Sequence, residues 1–458
     1  MEEKMDSRIN ALIESYRDEF VATLQEWVRV PSVKSEPAEG APFGKDISRM
    51  MDLAMKTAAD LGFTVRAFDG YACDATLGDA PEVLGVLGHL DVVPVGDGWR
   101  KPPFGAEIED GKIYGRGTND DKGPTLAAMF AMKALKEAGI PLRRSIRLIM
   151  GGDEECDWED MHYYAEHAEM PEIGFSPDAS FPLINTEKGM LHFELRFPKS
   201  TEGLQVLEMT TGERPNVIAG ESRALLAGGA ELAERIEAFA KETGLDFRAE
   251  AGDGGVWAIA TGIPGHSAYP EGKRSAIGMM LKLLKALGVK GGIATLADVV
   301  GLESDGASLG CACADQVSGS LTNNMGILHL KDGEWFGTLD FRCPVEADQE
   351  KLKEACAAHL PGIQVKVVTQ KPPHHVPADS ELVKGLLAAY EEESGLQGEC
   401  IATGGGTYAK VLEQGVAFGA IFPHEEELAH LANEYVNADS MMLAMKIYAN
   451  ALVRLCAE

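Results

Sequence analysis

Basic residues are scarce in this 458-residue sequence: 42 Lys and Arg stand against 72 Asp and Glu, a formal charge of −30. A surface this acidic repels nucleic-acid phosphates and anionic lipid headgroups alike, so neither nucleic acid nor a membrane is an expected partner. Long apolar runs are also missing. The longest, Val83 to Val95, is interrupted by His89 and Asp91 and falls short of the ~20 residues that a spanning helix needs. The first residues, Met1-Glu-Glu-Lys-Met-Asp-Ser-Arg8, have neither the basic start nor the apolar middle of a secretory signal, which points to a cytoplasmic location. The eight cysteines include no C-x-x-C pair, and only Cys311 and Cys313 lie close together. Neither a disulfide framework nor a thiolate zinc site is therefore expected, and the thiols read as reduced. Glycine is plentiful, at 51 residues, but has no collagen-like period, so the excess belongs in tight turns and close backbone approaches. With 45% hydrophobic and 25% charged residues the composition is ordinary for a globular protein, and the length allows about three average domains.

The order of patterns along the chain divides it. Up to about residue 186, strand-like runs alternate with helical spacing, the signature of an α/β domain with a largely parallel sheet. Val83-Leu-Gly-Val-Leu-Gly-His89 reads as a buried strand, Ser145 to Met150 as another and Glu172 to Ser176 as a shorter one. Pro124 to Ala138 reads as a helix, with proline in the first turn, where a missing N–H costs little. Ile9, Leu12, Ile13, Tyr16, Phe20 and Leu24 mark an amphipathic helix before it. From about Met190 the period becomes two, in Leu191 to Phe197, Val256 to Thr261 and Trp335 to Phe341, as in an antiparallel sheet with one covered face. Helical stretches at Leu232 to Thr243 and Ala276 to Leu287 lie between, so this part reads as α+β. It is long enough for two similar modules, although no clean sequence repeat is visible. After Pro377 helix and strand alternate again: Glu381 to Ser394 helical, Val416 to Phe422 strand-like, Ser440 to Cys456 helical. One α/β domain split by a large insertion is the simplest organisation.

Four places in the α/β parts set acids or histidine where strands run into loops, and ligands of open α/β sheets gather at the carboxyl ends of strands. His89-Leu-Asp91 puts an imidazole and a carboxylate on one face. Gly115-Arg-Gly-Thr-Asn-Asp120-Asp121 places two acids at a helix start, where they could equally favour the helix dipole. Gly151-Gly-Asp153-Glu154-Glu155 follows a strand, and Ser176-Pro-Asp178 follows another; each alone also fits a solvated loop. His430, in Ala429-His-Leu-Ala-Asn433-Glu434, and the nearby His424 are the late candidates. Together, histidine, several aspartates and glutamates suit nitrogen- and oxygen-loving divalent ions rather than a thiolate site. A pair of ions ~3.5–4 Å apart would need a bridging carboxylate and could clamp an attacking water.

These residues resemble the M20 co-catalytic metallopeptidases, and within them the PepV-like dipeptidases. The likeness runs through Gly88-His-Leu-Asp91-Val-Val-Pro94, Gly115 to Gly123, Gly152-Asp-Glu-Glu155, Asp178, Gly265-His266, Gly404-Gly-Gly-Thr-Tyr408 and His430-x-x-Asn433-Glu434, in order and over nearly the whole chain. The resemblance implies that His89 and Asp178 each bind one ion, that Glu155 and His430 bind the other, and that Asp120 bridges them. It makes Asp91 the residue that orients His89 and Glu154 the general base, leaves His424 outside the pattern, and expects a cis bond between Asp120 and Asp121. In the insertion, His266 matches a lid histidine that donates to the tetrahedral intermediate's oxygen. Arg342 resembles the lid arginine that grips the substrate carboxylate, Asn216 looks like a further polar contact, and Gly404, Gly405, Gly406 and Thr407 should offer backbone N–H groups.

The fold implied is a catalytic domain of mixed, mostly parallel sheet flanked by helices, built from residues 1–189 and 378–458. An α+β lid of two ferredoxin-like modules, residues 190–377, interrupts it. Relatives that dimerise borrow the lid histidine from a partner; the doubled lid implies that one chain is sufficient here. The expected activity is metal-dependent hydrolysis of dipeptides. Two divalent ions per chain are expected, Zn²⁺ first, with Mn²⁺ or Co²⁺ also compatible with the ligands. The alternative is an amidohydrolase acting on N-acyl amino acids, which would share the metal core. A metal-binding module without catalysis is disfavoured by the intact Asp91, Glu154 and His266.

Overall fold

A computed structural model describes residues 7–458. The charged start, residues 1–6, on which part of the leader reading falls, lies outside the described residues. The chain divides into two compact units. One gathers the residues up to Asn185 with His375–Ile401 and Gly406–Glu458; the other holds Thr186–His374 and Ala402–Gly405.

In the first unit the apolar run Val83–His89 is a strand with parallel neighbours on both sides, Ser145–Gly151 and Ile173–Ser176. Gln414–Ala417, from far later in the sequence, adds parallel to Ile173–Ser176. Ala72–Leu77 and Thr64–Phe68 extend the other side antiparallel. Parallel strands are covered on both faces and so read as continuous apolar runs; Leu84, Val86, Leu87, Ile146, Leu148 and Ile149 are all fully buried. Helix Ala438–Cys456 packs against both Lys122–Ala138 and Glu381–Ser394, and Lys122–Ala138 lies on this sheet, with Leu126, Phe130, Leu386, Tyr448 and Leu452 buried in the same core. Gly88 lets strand and helix meet closely, since a Cβ there would come within 1.8 Å of the Thr125 hydroxyl.

Three of the differences from the pattern reading have a clear physical reason. Helix Lys122–Ala138 starts two residues before Pro124, which fits because the first four N–H groups of a helix have no intrahelical partner to lose. The N-terminal amphipathic stretch is two helices, Ser7–Ser15 and Arg17–Val28, that meet at Tyr16 and bury Ile9, Ile13, Phe20 and Leu24 on a shared apolar face. The run Val416–Phe422 is split into Gln414–Ala417 and Ala420–Ile421, because the chain turns at Phe418-Gly419 to pair with Ala179–Ser180.

The second unit is built on an eight-stranded antiparallel sheet. Its order is Phe247–Gly252, Gly255–Thr261, Glu221–Leu226, Val206–Thr211, Thr322–Lys331, Glu334–Cys343, Gly189–Pro198 and Gln364–Lys371. Two halves of four strands meet where Val206–Thr211 pairs with Thr322–Lys331. Along Gly189–Pro198 the residues Leu191, Phe193, Leu195 and Phe197 enter the core while those between them do not, as period two requires. Helices Ala230–Thr243, Ala276–Leu287 and Gln349–His359 close the same core with Ile236, Leu284 and Cys356. The eight cysteines are unpaired. No helix among the described residues is long and apolar enough to cross a membrane.

Candidate metal centre

The parallel strands of the first unit deliver the acids and histidine at their carboxyl ends. His89 is the last residue of its strand, Glu154 and Glu155 follow Gly151 at the end of the next, and Asp178 lies two residues past Ser176. Asp120 and Asp121 sit immediately before helix Lys122–Ala138. His430 comes from the loop between Ala420–Ile421 and Tyr435–Asn437, where it holds a left-handed backbone, φ 64°.

Asp120 is the centre of the arrangement. Its Oδ1 lies 3.0 Å from His89 Nε2, and its Oδ2 lies 3.1 Å from His430 Nε2. His430 Nε2 is also 2.9 Å from Glu155 Oε2, and His89 Nε2 is 3.7 Å from Asp178 Oδ2. Two sets of donor atoms, His89 with Glu154 and Asp178 and His89 with Asp120 and Glu155, each fit within 4.8 Å. Behind them, His89 Nδ1 lies 3.0 Å from the main-chain oxygen of Asp91 and 3.4 Å from its Oδ1. The Asp91 carboxylate also accepts the N–H groups of Glu154 (3.2 Å) and Glu155 (3.1 Å), so it braces the acidic loop as well as the histidine. Asp121 accepts from the His89 N–H at 3.2 Å, and the Asp120–Asp121 bond is cis. His424, by contrast, is exposed and leans on the ring of Phe422.

Crowding of like charges shows in the proton affinities. Burial, then the charge of Asp178, pushes Glu154 well above the usual carboxylate range. Burial and Asp120 push Asp178 up to about 7, and burial raises Glu155. Hydrogen bonds to Asp120 and Glu155 hold His430 up at about 11. For His89 burial opposes the charge, but Asp120 and Asp91 outweigh it and keep the ring well above an ordinary imidazole. Asp120 is held below the usual range, because its bonds to His430 and His89 overcome its burial. Two imidazoles and a larger number of carboxylates converging in one partly buried place fit divalent cations, which would offset that crowding with nitrogen and oxygen ligands.

Two buried acids that the motif reading gave no role support this cluster. Glu434 Oε1 accepts from the N–H groups of Gly117 (3.0 Å), Asn119 (2.9 Å) and Asp120 (3.3 Å), while Oε2 pairs with Arg116 Nη1 at 2.7 Å. Both partners sit in motifs visible in the sequence, so the pairing of a motif arginine with a motif glutamate was a usable signal. Asp160 Oδ2 accepts from the N–H groups of Gly152 (2.7 Å) and Asp153 (2.8 Å) and from the Tyr408 hydroxyl. Nothing local in the sequence marks Asp160.

The remaining candidates belong mostly to the second unit. His266 lies on the short strand Gly265–His266, paired with Val217–Ile218, with its Nε2 3.4 Å from Asn216 Nδ2. Arg342 is buried and donates from Nη1 to the Gly404 carbonyl at 2.8 Å. In the glycine loop the Gly405 N–H is already used, on Thr403 Oγ1 at 3.1 Å. Gly406 and Thr407 fall in the first unit, where Thr407 Oγ1 caps the following turn by accepting from Ala409 N–H.

The family model described as peptidase family M20/M25/M40 matches residues 85–454. The Beta-Ala-Xaa dipeptidase of Lactobacillus delbrueckii subsp. lactis is 34% identical over 469 residues, which cover 99% of each chain. Among solved structures, human carnosine dipeptidase 1 superposes with a TM-score of 0.63 at 18% identity, over 98% of both chains. The di-peptidase Dug1p from Saccharomyces cerevisiae gives 0.62 at 14%, again over 98% of both. At these identities the structural likeness is one of fold.

Proposed function

Because this chain belongs to peptidase family M20/M25/M40, we propose that it is a metal-dependent dipeptidase with Glu154 as its general base. The observation that carries this reading is Asp120, whose two carboxylate oxygens face two different histidines. His89 and Asp178 would hold one divalent ion, Glu155 and His430 the other, and Asp120 would serve both. When bound, the ions supply Lewis acidity to the attacking water and to the scissile carbonyl. Glu154 takes a proton from that water. It then passes the proton to the leaving amine nitrogen. Asp91 orients His89 and steadies the loop bearing Glu154.

Substrate contacts are assigned to the second unit and the glycine loop. His266 donates to the oxygen that becomes negative in the tetrahedral intermediate, the kind of interaction that is often the largest single contribution to such catalysis. Arg342 holds the substrate's terminal carboxylate, Asn216 adds a polar contact beside His266, and Gly404, Gly405, Gly406 and Thr407 line the carboxylate's approach. A grip on that carboxylate favours dipeptides over proteins. Zn²⁺ is the first choice of ion, with Mn²⁺ and Co²⁺ as substitutes, the location is cytoplasmic, and one chain is sufficient for catalysis.

The test is turnover of a dipeptide panel in buffer supplemented with each of the three metals, beside the matching N-acetyl amino acids. The panel includes β-alanyl dipeptides, because a relative 34% identical carries the name Beta-Ala-Xaa dipeptidase. Hydrolysis of free dipeptides well above the acetylated compounds is expected. The reverse preference would make the protein an N-acyl amino acid amidohydrolase.

A further inference from the structure

Arg342 is only 3% exposed, yet its guanidinium is not fully used. A guanidinium carries five N–H donors. Asp340 Oδ2 accepts from Nε at 3.3 Å and from Nη2 at 3.2 Å, and the Gly404 carbonyl accepts from Nη1 at 2.8 Å. One hydrogen of each nitrogen is thereby engaged. Two N–H groups, one on Nη1 and one on Nη2, are left over, a number that suits the two oxygens of a carboxylate.

Asp340 does more than neutralise Arg342. It is fully buried, the Ser267 hydroxyl donates to the same Oδ2, and His192 Nε2 lies 2.7 Å from Oδ1. Ser267 directly follows His266, and its N–H donates to the Asn216 carbonyl at 3.0 Å. The glycine loop docks on the residues just after Ser267. The Tyr269 hydroxyl and Thr403 Oγ1 are 2.7 Å apart, and a Cβ on Gly404 would come within 2.5 Å of the Ala268 Cβ. One buried carboxylate therefore touches the arginine, the segment after His266 and a histidine from a third strand, all within the second unit.

From this geometry we propose that Asp340 is a positioning residue: it presents the two remaining N–H groups of Arg342 to a substrate's terminal carboxylate, and the Ser267 hydroxyl holds the Asp340 carboxylate in that pose. The ligand class recognised is a short amide with a free carboxylate on its leaving amino acid. The proposal rests on the role given to Arg342 above. Asparagine at 340 would keep the shape but lose the charge, and its amide group would set an N–H against the donors of Arg342.

The experiment measures kcat and KM of wild type, Asp340→Asn and Ser267→Ala on a free dipeptide and on its C-terminal amide. Asp340→Asn is expected to raise KM for the free acid about 10- to 100-fold, the scale of losing orientation at a charged grip. The same variant should change kcat/KM for the amide by no more than about two-fold, and it should add nothing to Arg342→Ala in the double variant. Ser267→Ala, which leaves no charge unpaired, should show the same acid-selective loss more weakly and stands in if Asp340→Asn fails to fold. Equal losses for acid and amide would mean that Asp340 only holds the fold, and unchanged kinetics would remove any role; either result overturns the proposal. If the wild type hydrolyses N-acetyl amino acids instead, the same acid and amide comparison is made on those. If it hydrolyses neither, the proposed function fails, and calorimetric binding of the free dipeptide against its amide, to wild type and Asp340→Asn, decides Asp340 separately.

Discussion

Asp120 and Glu154 lie at one cluster but are asked for different things, and single substitutions separate them. Asp120 faces both histidines, so Asp120→Ala removes the carboxylate proposed to serve both ions and should strip the protein of most of its divalent metal. Glu154→Ala should keep the metal and lose about 10²- to 10⁴-fold in kcat, the usual worth of a positioned proton carrier. Elemental analysis of purified variants alongside kcat makes the check. Because the Glu154 carboxylate also fits within 4.8 Å of donor atoms of His89 and Asp178, loss of one metal equivalent in Glu154→Ala would make it a ligand. An unchanged kcat would remove it from proton transfer. His89, Asp120, Glu155, Asp178 and His430 could all be picked out of the sequence, because each is a nitrogen or oxygen ligand type at a strand end or in a recognisable motif. Asp160 and Asp340 could not. A carboxylate that is buried to accept several N–H groups looks, in sequence, like one that is solvated.

At the level of elements, legibility followed burial pattern. Strands covered on both faces, such as Val83–His89, show as apolar runs, and strands covered on one face, such as Gly189–Pro198, show as alternation. What periodicity did not disclose is where chain segments meet, and the loop Gly115 to Asp121 is the instructive case. Its glycines announce turns, but its shape depends on Glu434, which arrives from the far end of the chain to accept three of its N–H groups and pair with Arg116. Arg116 and Glu434 are both essentially buried, at 1% and 0% side-chain exposure. Removing one partner of such a pair typically costs about 3–5 kcal/mol, because the other charge is left buried and uncompensated. Glu434→Ala should therefore lose stability on that scale in urea unfolding. It should also weaken metal binding in a direct titration, although Glu434 is not among the residues assigned to the ions, because Asp120 loses the acceptor that holds its N–H. A stability loss with unaltered metal affinity would show that the loop keeps its shape without this strap.

Across the whole molecule, the acids of the cluster are few among 72, so the site does not account for the charge of −30. The architecture of the insertion carries a sharper consequence. The sheet of the second unit has eight strands in two halves of four, twice what one four-stranded module would supply. If the second half takes the place that a partner subunit fills in dimeric relatives, His266 acts on the centre of its own chain. His266→Ala and Glu154→Ala, coexpressed in equal amounts, then give no more activity than the two variants measured apart. The opposite arrangement has a definite signature. In a dimer whose sites are completed in trans, half of the randomly paired dimers are mixed, and each mixed dimer holds one intact site and one doubly defective site. Recovery would approach about one quarter of wild-type specific activity, well above two inactive parents. Activity near that level, lost again when the two variants are purified separately, would establish trans completion and rule out a self-sufficient chain.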